Sequence, residues 1–242
     1  MFPTIDKYPS LTTEQMIEVD RAMIEDYHIL LIQMMENAGR NLAILARDRF
    51  LGGDPSGKKV VVLAGTGGNG GGAMVAARRL HNWGAEVEVF VSREPQPEIP
   101  QHQFTVLKRM GMSVRVAEKP TGLTHAALIL DGLIGYSLKG NPRGIIGELI
   151  HWANAQASPI LSLDTPSGID LTSGTIYDPV IEAVATLTLA LPKVGLFRDG
   201  AKQLVGELYL GDISVPPSLY ASPALQIEVP NLFAQSDIVR LQ

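Results

Sequence analysis

The sequence predicts an α/β fold in which a mostly parallel sheet carries helices on both faces. Three observations carry this. Short apolar, β-branched runs such as Val60-Val61-Val62-Leu63-Ala64 lack the alternation of a half-exposed strand. Each is followed by a glycine- or aspartate-bearing turn and then, in most cases, by a segment of helical periodicity. The succession strand, turn, helix, strand repeats at least three times, as crossover connections in a parallel sheet require.

Taken in order, Met1–Ser10 carries two prolines and reads as an irregular arm. Thr12 and Gln15 form a capping box, in which each side chain satisfies the other's free backbone N–H. Met16, Val19 and Met23 follow at helical spacing, Tyr27-His28 interrupts the pattern, and Met35, Ala38, Leu42 and Leu45 resume it to about Phe50. Residues 52–57 have the composition of a loop. The strand at 60–64 leads to a turn over Gly65–Gly72, a helix over Ala73–Trp83 stopped by Gly84, and a strand over Val87–Val91. A proline-rich loop at Pro95–Pro100 precedes a helix ending at Gly111, and Ser113–Ala117 reads as a short strand. Ala126–Leu130 is a buried strand closed by Asp131; Gly135–Gly144 is a loop and Ile145–Ala155 a helix. Pro159–Leu163 is a strand closed by Asp164, and Ala183–Leu189 and Glu207–Leu210 are later strands.

Composition narrows the classes of function. A chain of 242 residues can bury a sizeable core without staples. Hydrophobic residues at 45% and charged residues at 19% place it among globular proteins. The net charge of −5 and the scattered lysines and arginines leave no footprint for nucleic acid. The absence of cysteine excludes disulfides, zinc–thiolate sites and a cysteine nucleophile, and agrees with a reducing compartment. No apolar run reaches membrane-span length, and the first nine residues lack a charged-then-apolar signal. The expectation is a cytoplasmic protein whose residues 1–242 form one domain.

Candidate chemistry gathers at strand ends, where open parallel sheets bind ligands. The first cluster, Gly65-Thr66-Gly67-Gly68-Asn69-Gly70-Gly71-Gly72, satisfies G-x-G-x-x-G between a strand and a helix. Backbone without Cβ atoms can approach an anion closely, and the following helix N-terminus favours negative charge. A tight turn alone would not need six glycines, each of which adds unfolded-state entropy. No Gly-Lys-Ser/Thr follows, so it is not a P-loop. The second cluster is Asp131 followed by the loop Gly135-Tyr136-Ser137-Leu138-Lys139-Gly140-Asn141-Pro142-Arg143-Gly144. A carboxylate ending a buried strand needs a cation or backbone donors, although a solvated loop capped by aspartate would give the same pattern. In the third, Asp164-Thr165-Pro166-Ser167-Gly168-Ile169-Asp170, two carboxylates could divide acid and base work, or Asp170 could simply cap the next segment. His28, His81, His102, His125 and His151 have no metal-ligand spacing, and no G-x-S-x-G elbow is present.

Together these segments resemble the NAD(P)H-hydrate epimerase family, also called the YjeF N-terminal domain family. Leu11-Thr12-Thr13-Glu14-Gln15-Met16 and Met35-Glu36-Asn37-Ala38-Gly39-Arg40 look like its N-terminal helices. Gly65–Ala73 is similar to its G-P-G-N-N-G-G-D-G turn, Asp131-Gly132-Leu133-Ile134-Gly135 to its D-A-L-F-G, and Pro142-Arg143-Gly144 to its P-V-R-G. Asp164–Asp170 matches D-I-P-S-G-x-D, and Pro192-Lys193-Val194-Gly195-Leu196 resembles P-K-x-G-L. The resemblance implies a Rossmann-like three-layer α/β/α sandwich with a mostly parallel sheet, usually a homodimer. It implies interconversion of the R and S forms of hydrated NADH or NADPH, a metabolite-repair reaction feeding a separate or fused dehydratase. With 242 residues, the expectation is an epimerase-type domain without the fused dehydratase.

The resemblance also assigns residues. Asn69, Asp131 and Ser167 fall on potassium-binding positions. Gly68, Asn69, Gly70, Gly71 and Gly72 fall on a substrate-contacting stretch, as do Gly135, Tyr136, Ser137, Leu138, Lys139, Gly140 and Asn141, with Arg143 beside them. Asp164 falls on the substrate-binding aspartate and is the expected general acid/base. Departures from the family pattern occur at Gly68, Gly72, Ala73, Gly132 and Tyr136. Two other readings compete. One is a non-catalytic nucleotide-binding or scaffold protein on the same fold, motivated by Gly72. The other is an NADP-dependent oxidoreductase, with Ser92-Arg93 taking a 2′-phosphate.

Overall fold

A computed structural model describes residues 2–121 and 125–242; Met1 of the N-terminal arm lies outside them. Chain order is β1 (Thr4–Ile5), α1 (Thr13–Glu25), α2 (Leu31–Leu45), β2 (Lys59–Ala64), α3 (Gly68–Asn82), β3 (Glu86–Val91), α4 (Glu98–Arg109), β4 (Ser113–Val116), β5 (Leu128–Gly132), α5 (Ile145–Asn154), β6 (Ile160–Leu163), β7 (Ala185–Leu189), α6 (Ala201–Val205), β8 (Glu207–Gly211), α7 (Pro217–Tyr220) and β9 (Ile238–Leu241). The strands form a single nine-stranded sheet in the order β1-β9-β8-β7-β6-β5-β2-β3-β4. Every neighbouring pair is parallel except β8 with β9. The fold is thus the Rossmann-like α/β sandwich that the sequence predicts.

The register of side chains builds the layers. Alternate residues of a strand point to opposite faces. Val60, Val62 and Ala64 of β2 pack with Leu42 of α2, Met74 and Ala77 of α3, and Phe104 and Leu107 of α4. Val61 and Leu63 pack on the other face with Leu149, Ile150 and Ala153 of α5. At the β7–β9 end, Met16, Val19 and Met23 of α1 meet Leu208, Leu210, Val239 and Leu241 together with α6 and α7. Each such aliphatic side chain contributes roughly 1.5–3 kcal/mol on burial.

The topology fixes where a ligand can sit. From β2 the chain steps outward to β3 and β4, then returns with β5 to the other side of β2 and continues through β6, β7 and β8. The connections above β2 and β5 therefore part company and leave a crevice at their carboxyl ends. No helix among the described residues is long and apolar enough to cross a membrane.

Several boundaries differ from the sequence expectation for physical reasons. The arm is partly ordered, because Thr4 and Ile5 pair with Arg240 and Leu241 of β9, a strand the pattern did not reveal. Helix α3 begins at Gly68 rather than Ala73, so most of the glycine stretch is helical. Glycine propensity argues against this, but packing against β2 and β5 overrides it. Helix α4 begins at Glu98, inside the proline-rich stretch, where a proline in the first turn lacks only an N–H that has no partner. Strand β5 runs on to Gly132 and so carries Asp131 within the sheet. The break at Tyr27-His28 is real: His28 sits at φ 56°.

Candidate active site

A cavity of about 570 Å³ opens where the chain paths above β2 and β5 diverge. It is lined by Thr66, Gly67, Gly68, Asn69 and Gly70 after β2, by residues 133–139 after β5, and by Leu163 and Asp164 at the end of β6. Lys193 beyond β7, Met16 and Asp20 of α1, and Leu31, Met34, Met35 and Ala38 of α2 close it.

The glycine turn divides into two kinds of position. A Cβ at Gly65 would overlap the Leu133 carbonyl oxygen, and one at Gly70 would overlap the Gly65 carbonyl. These glycines let strand and helix approach. At Gly67 and Gly68 nothing lies within 4 Å of the would-be Cβ, so the backbone faces open space. The amides of Gly68, Asn69 and Gly70 precede the first intrahelical bond, from the Gly71 N–H to the Gly67 carbonyl at 3.0 Å. Among the described residues they have no backbone partner, and a helix N-terminus of this kind receives anions.

Among the expected ligand contacts, Gly68, Asn69, Gly70, Gly135, Tyr136, Ser137, Leu138, Lys139 and Asp164 line the cavity. Gly71 and Gly72 do not; they lie one turn into α3, backed by Met35 and by Leu163, whose Cδ2 is 2.7 Å from the would-be Cβ of Gly72. Gly140, Asn141 and Arg143 also lie outside the lining, and Asn141 Oδ1 accepts the Asp178 N–H at 3.3 Å. Ser92 and Arg93, at the end of β3, do not reach it. Asp170 points elsewhere: its Oδ1 accepts the N–H groups of Thr172 and Ser173 at 3.0 and 2.7 Å, and although burial pushes its carboxyl up, these donors and the Ser173 hydroxyl carry it below the ordinary value.

Asp131 is fully buried and anchors the wall. Its Oδ1 accepts the Ser167 hydroxyl at 2.6 Å and the Leu133 N–H at 3.1 Å; its Oδ2 accepts the Ser162 hydroxyl at 2.8 Å and the Ser167 N–H at 2.9 Å. Burial pushes its carboxyl up, opposed by these donors. Asn69 joins the same network, its amide nitrogen donating to the carbonyls of Leu163 at 2.8 Å and Ile134 at 3.3 Å. Ser167 in turn accepts the Ile134 N–H at 2.9 Å. The three residues expected to hold a cation therefore converge around residues 133–135. The oxygens gathered there are amide, hydroxyl, carbonyl and carboxylate, the hard donors a monovalent cation takes, and Asp131 has no side-chain cation partner among the described residues. The donor types suit such an ion, while each Asp131 oxygen already accepts two hydrogen bonds.

Asp164 forms the cavity floor. Its φ of 65° is unusual for a residue with a side chain, and the Thr165 N–H closes a tight turn around it onto the Leu163 carbonyl at 2.8 Å. Such strain persists only where the surroundings enforce it. Here Lys193 Nζ donates to Asp164 Oδ1, and also to the Leu189 carbonyl at 3.1 Å and Thr188 Oγ1 at 3.3 Å. Lys193 is 0% exposed and Asp164 3%. Near the mouth, the Tyr136 hydroxyl donates to Asp20 Oδ2 at 2.8 Å.

Sequence reasoning assigned no site role to Lys193 or Asp20. For Lys193 a signal existed: a lysine between Leu191-Pro192 and Val194-Gly195-Leu196 sits in an apolar stretch and needs a buried partner. Asp20 gave none, because an acidic residue on a helix is ordinarily solvated.

Comparison with known proteins agrees with this geometry. Residues 31–195 match the family described as YjeF-related protein N-terminus. A Dehalogenimonas lykanthroporepellens protein named NAD(P)H-hydrate epimerase is 44% identical over 218 residues, covering 89% of this chain and 86% of that protein. A Moorella thermoacetica protein named bifunctional NAD(P)H-hydrate repair enzyme Nnr is 31% identical over 88% of this chain, which spans only 42% of that longer protein. The crystal structure of yeast ynu0 superposes with a TM-score of 0.79 at 27% identity, over 96% of this chain and 100% of that one. The chain belongs to the YjeF-related protein N-terminus family.

Proposed function

We propose that the chain is an isomerase that interconverts the R and S forms of hydrated NADH or NADPH, with Asp164 as its general acid/base. One observation carries the reading: a strained, ion-paired aspartate and the start of a glycine-rich helix line the same cavity. That relatives sharing these segments are named NAD(P)H-hydrate epimerase supports it.

The chemistry follows from the substrate class. Hydration of an enamine places a hydroxyl on the carbon beside the ring nitrogen. Inverting that carbon requires its C–O bond to break and reform on the other face, with no net oxidation and so no organic cofactor. The free amides of Gly68, Asn69 and Gly70 suit the pyrophosphate. The segment from Gly135 to Lys139 flanks the nucleotide. Asp164 moves the proton of the departing or arriving hydroxyl, and Lys193 holds its carboxyl in place. A well-placed group of this kind supplies on the order of 10²–10⁴-fold.

The proposal extends to a potassium ion held by oxygens of Asn69, Asp131 and Ser167. When bound, it offsets the charge of buried Asp131 and braces the loop after β5. It extends also to a homodimer, to a cytoplasmic setting, and to 1–242 as one domain, which the single sheet from Thr4 to Leu241 supports. Coupling to a dehydratase is supported by the longer relatives named as bifunctional repair enzymes.

The test is direct. Purified R-hydrated NADPH incubated with the chain and resolved by chromatography should relax to an R/S mixture well ahead of the uncatalysed reaction. A rate equal to the uncatalysed one contradicts the proposal.

A further inference from the structure

We propose that Tyr136, oriented by Asp20, is a second proton-transfer residue of this cavity, serving the face of the hydrated ring opposite to the one served by Asp164. This rests on the epimerase reading and deepens it.

Inversion at a single carbon needs proton transfer on two faces. The hydroxyl leaves from one, and water arrives on the other. A carboxylate fixed at the cavity floor reaches one face of a ring lying above it. Asp164 and Lys193 are so fixed, sealed from solvent by β6 and β7. The lining offers another proton-bearing pair. Tyr136 is 36% exposed on the loop after β5, and its hydroxyl donates to Asp20 of α1 at 2.8 Å. Both pairs line the one cavity that a ring would enter.

The pair is held by more than its own bond. The N-terminal lead of α1 is bridged to the segment carrying Lys193: the Leu11 N–H donates to the Pro192 carbonyl at 2.9 Å, and the Val194 N–H donates back to Leu11 at 2.9 Å. Asp20 and Lys193 therefore keep a fixed relation across the cavity. Asp20 has no basic side chain in salt-bridge contact among the described residues, and burial pushes its carboxyl up against the opposing pull of Tyr136 and Lys193. Burial, then the charge of Asp20, holds the Tyr136 phenol above its ordinary value.

The steps balance. On one face, a proton of the Lys193 ammonium passes through Asp164 to the departing hydroxyl, which leaves as water; the C–O bond breaks and the ring nitrogen lone pair forms a C=N bond. On the other face, water adds to the same carbon, the C–O bond reforms, and the C=N electrons return to nitrogen. The incoming water gives one proton to Tyr136 as Tyr136 passes its own to Asp20. One proton enters the substrate and one leaves, and solvent exchange or the reverse reaction resets the pairs.

The experiment compares wild-type protein, Tyr136→Phe and Asp20→Asn with R-hydrated NADPH in oxygen-labelled water. For Tyr136→Phe we expect epimerisation to fall on the order of 100-fold or more in kcat with KM little changed, because only transition-state contacts are lost. The same variant should still exchange label into the hydroxyl of one epimer without inversion, since the floor pair is intact. Asp20→Asn should behave likewise, because its amide oxygen still accepts a hydrogen bond from Tyr136 but cannot take the proton. Wild-type inversion rates in both variants overturn the proposal. So does loss of exchange in step with loss of inversion, which marks a merely structural role. A wild-type protein that neither inverts nor exchanges fails the epimerase reading itself, and this inference with it.

Discussion

Lys193 Nζ and Asp164 Oδ1 form an ion pair across two strand exits, with the lysine wholly buried and its remaining donors on Leu189 and Thr188. The pair couples the end of β6 to the segment after β7 and sets the charge at the cavity floor.

Breaking such a pair from one side leaves an unpaired buried charge, at a typical cost of about 3–5 kcal/mol. Lys193→Met should destabilise the fold by that order in chemical denaturation. The double variant Asp164→Asn with Lys193→Met should regain much of the loss, because no lone charge remains. Additive losses from the two single substitutions would show that the two side chains do not interact.

The glycine turn makes a paired prediction. Gly70→Ala puts a methyl into the Gly65 backbone, where nothing flexible can yield, so expression or stability should fail. Gly68→Ala meets nothing within 4 Å and should keep or slightly raise stability, by at most about 1 kcal/mol. Its methyl would instead intrude on the ligand, so KM should rise while the melting temperature holds.

Glu36 predicts a pH dependence. Arg78 Nη2 donates to both of its oxygens at 2.7 and 2.6 Å, and Gln103 adds a bond at 3.2 Å, joining α2, α3 and α4. Burial alone would raise its carboxyl, but these partners and Arg79 carry it below the ordinary value. A group more acidic when folded stabilises fully above its unfolded pKa, and that stability is lost as pH falls through the folded value. Glu36→Gln should therefore lower stability at neutral pH by about 1 kcal/mol, a figure kept small because the side chains are partly exposed. The gap from wild type should close in acid. A gap that persists unchanged at low pH would assign the loss to packing.

Much of the fold was legible because parallel strands read as continuous apolar runs, and β2 and β5 were recognisable for that reason. Strands β1 and β9 were not, because a two-residue edge strand and the four-residue strand beside it take their order from each other and from β8 rather than from any local pattern. The start of α3 was misplaced because glycine propensity points away from helix while packing against β2 and β5 demands it. At the site, strand-end position alone singled out Asp131 and Asp164, whose surroundings are set by the sheet. Asp20 and Lys193 were missed because their roles depend on which distant segment lies opposite, a relation that no spacing within α1 or after β7 encodes.

The central claim is that Asp164 carries out acid/base chemistry on a hydrated nicotinamide ring in this cavity. The most direct test measures Asp164→Asn for both dinucleotide-hydrate binding, by protection against thermal unfolding, and epimerisation, by the relaxation of pure R-hydrate. The account predicts retained binding with epimerisation reduced on the order of 10²-fold or more. A variant that binds and inverts the hydrate as fast as wild type would contradict it.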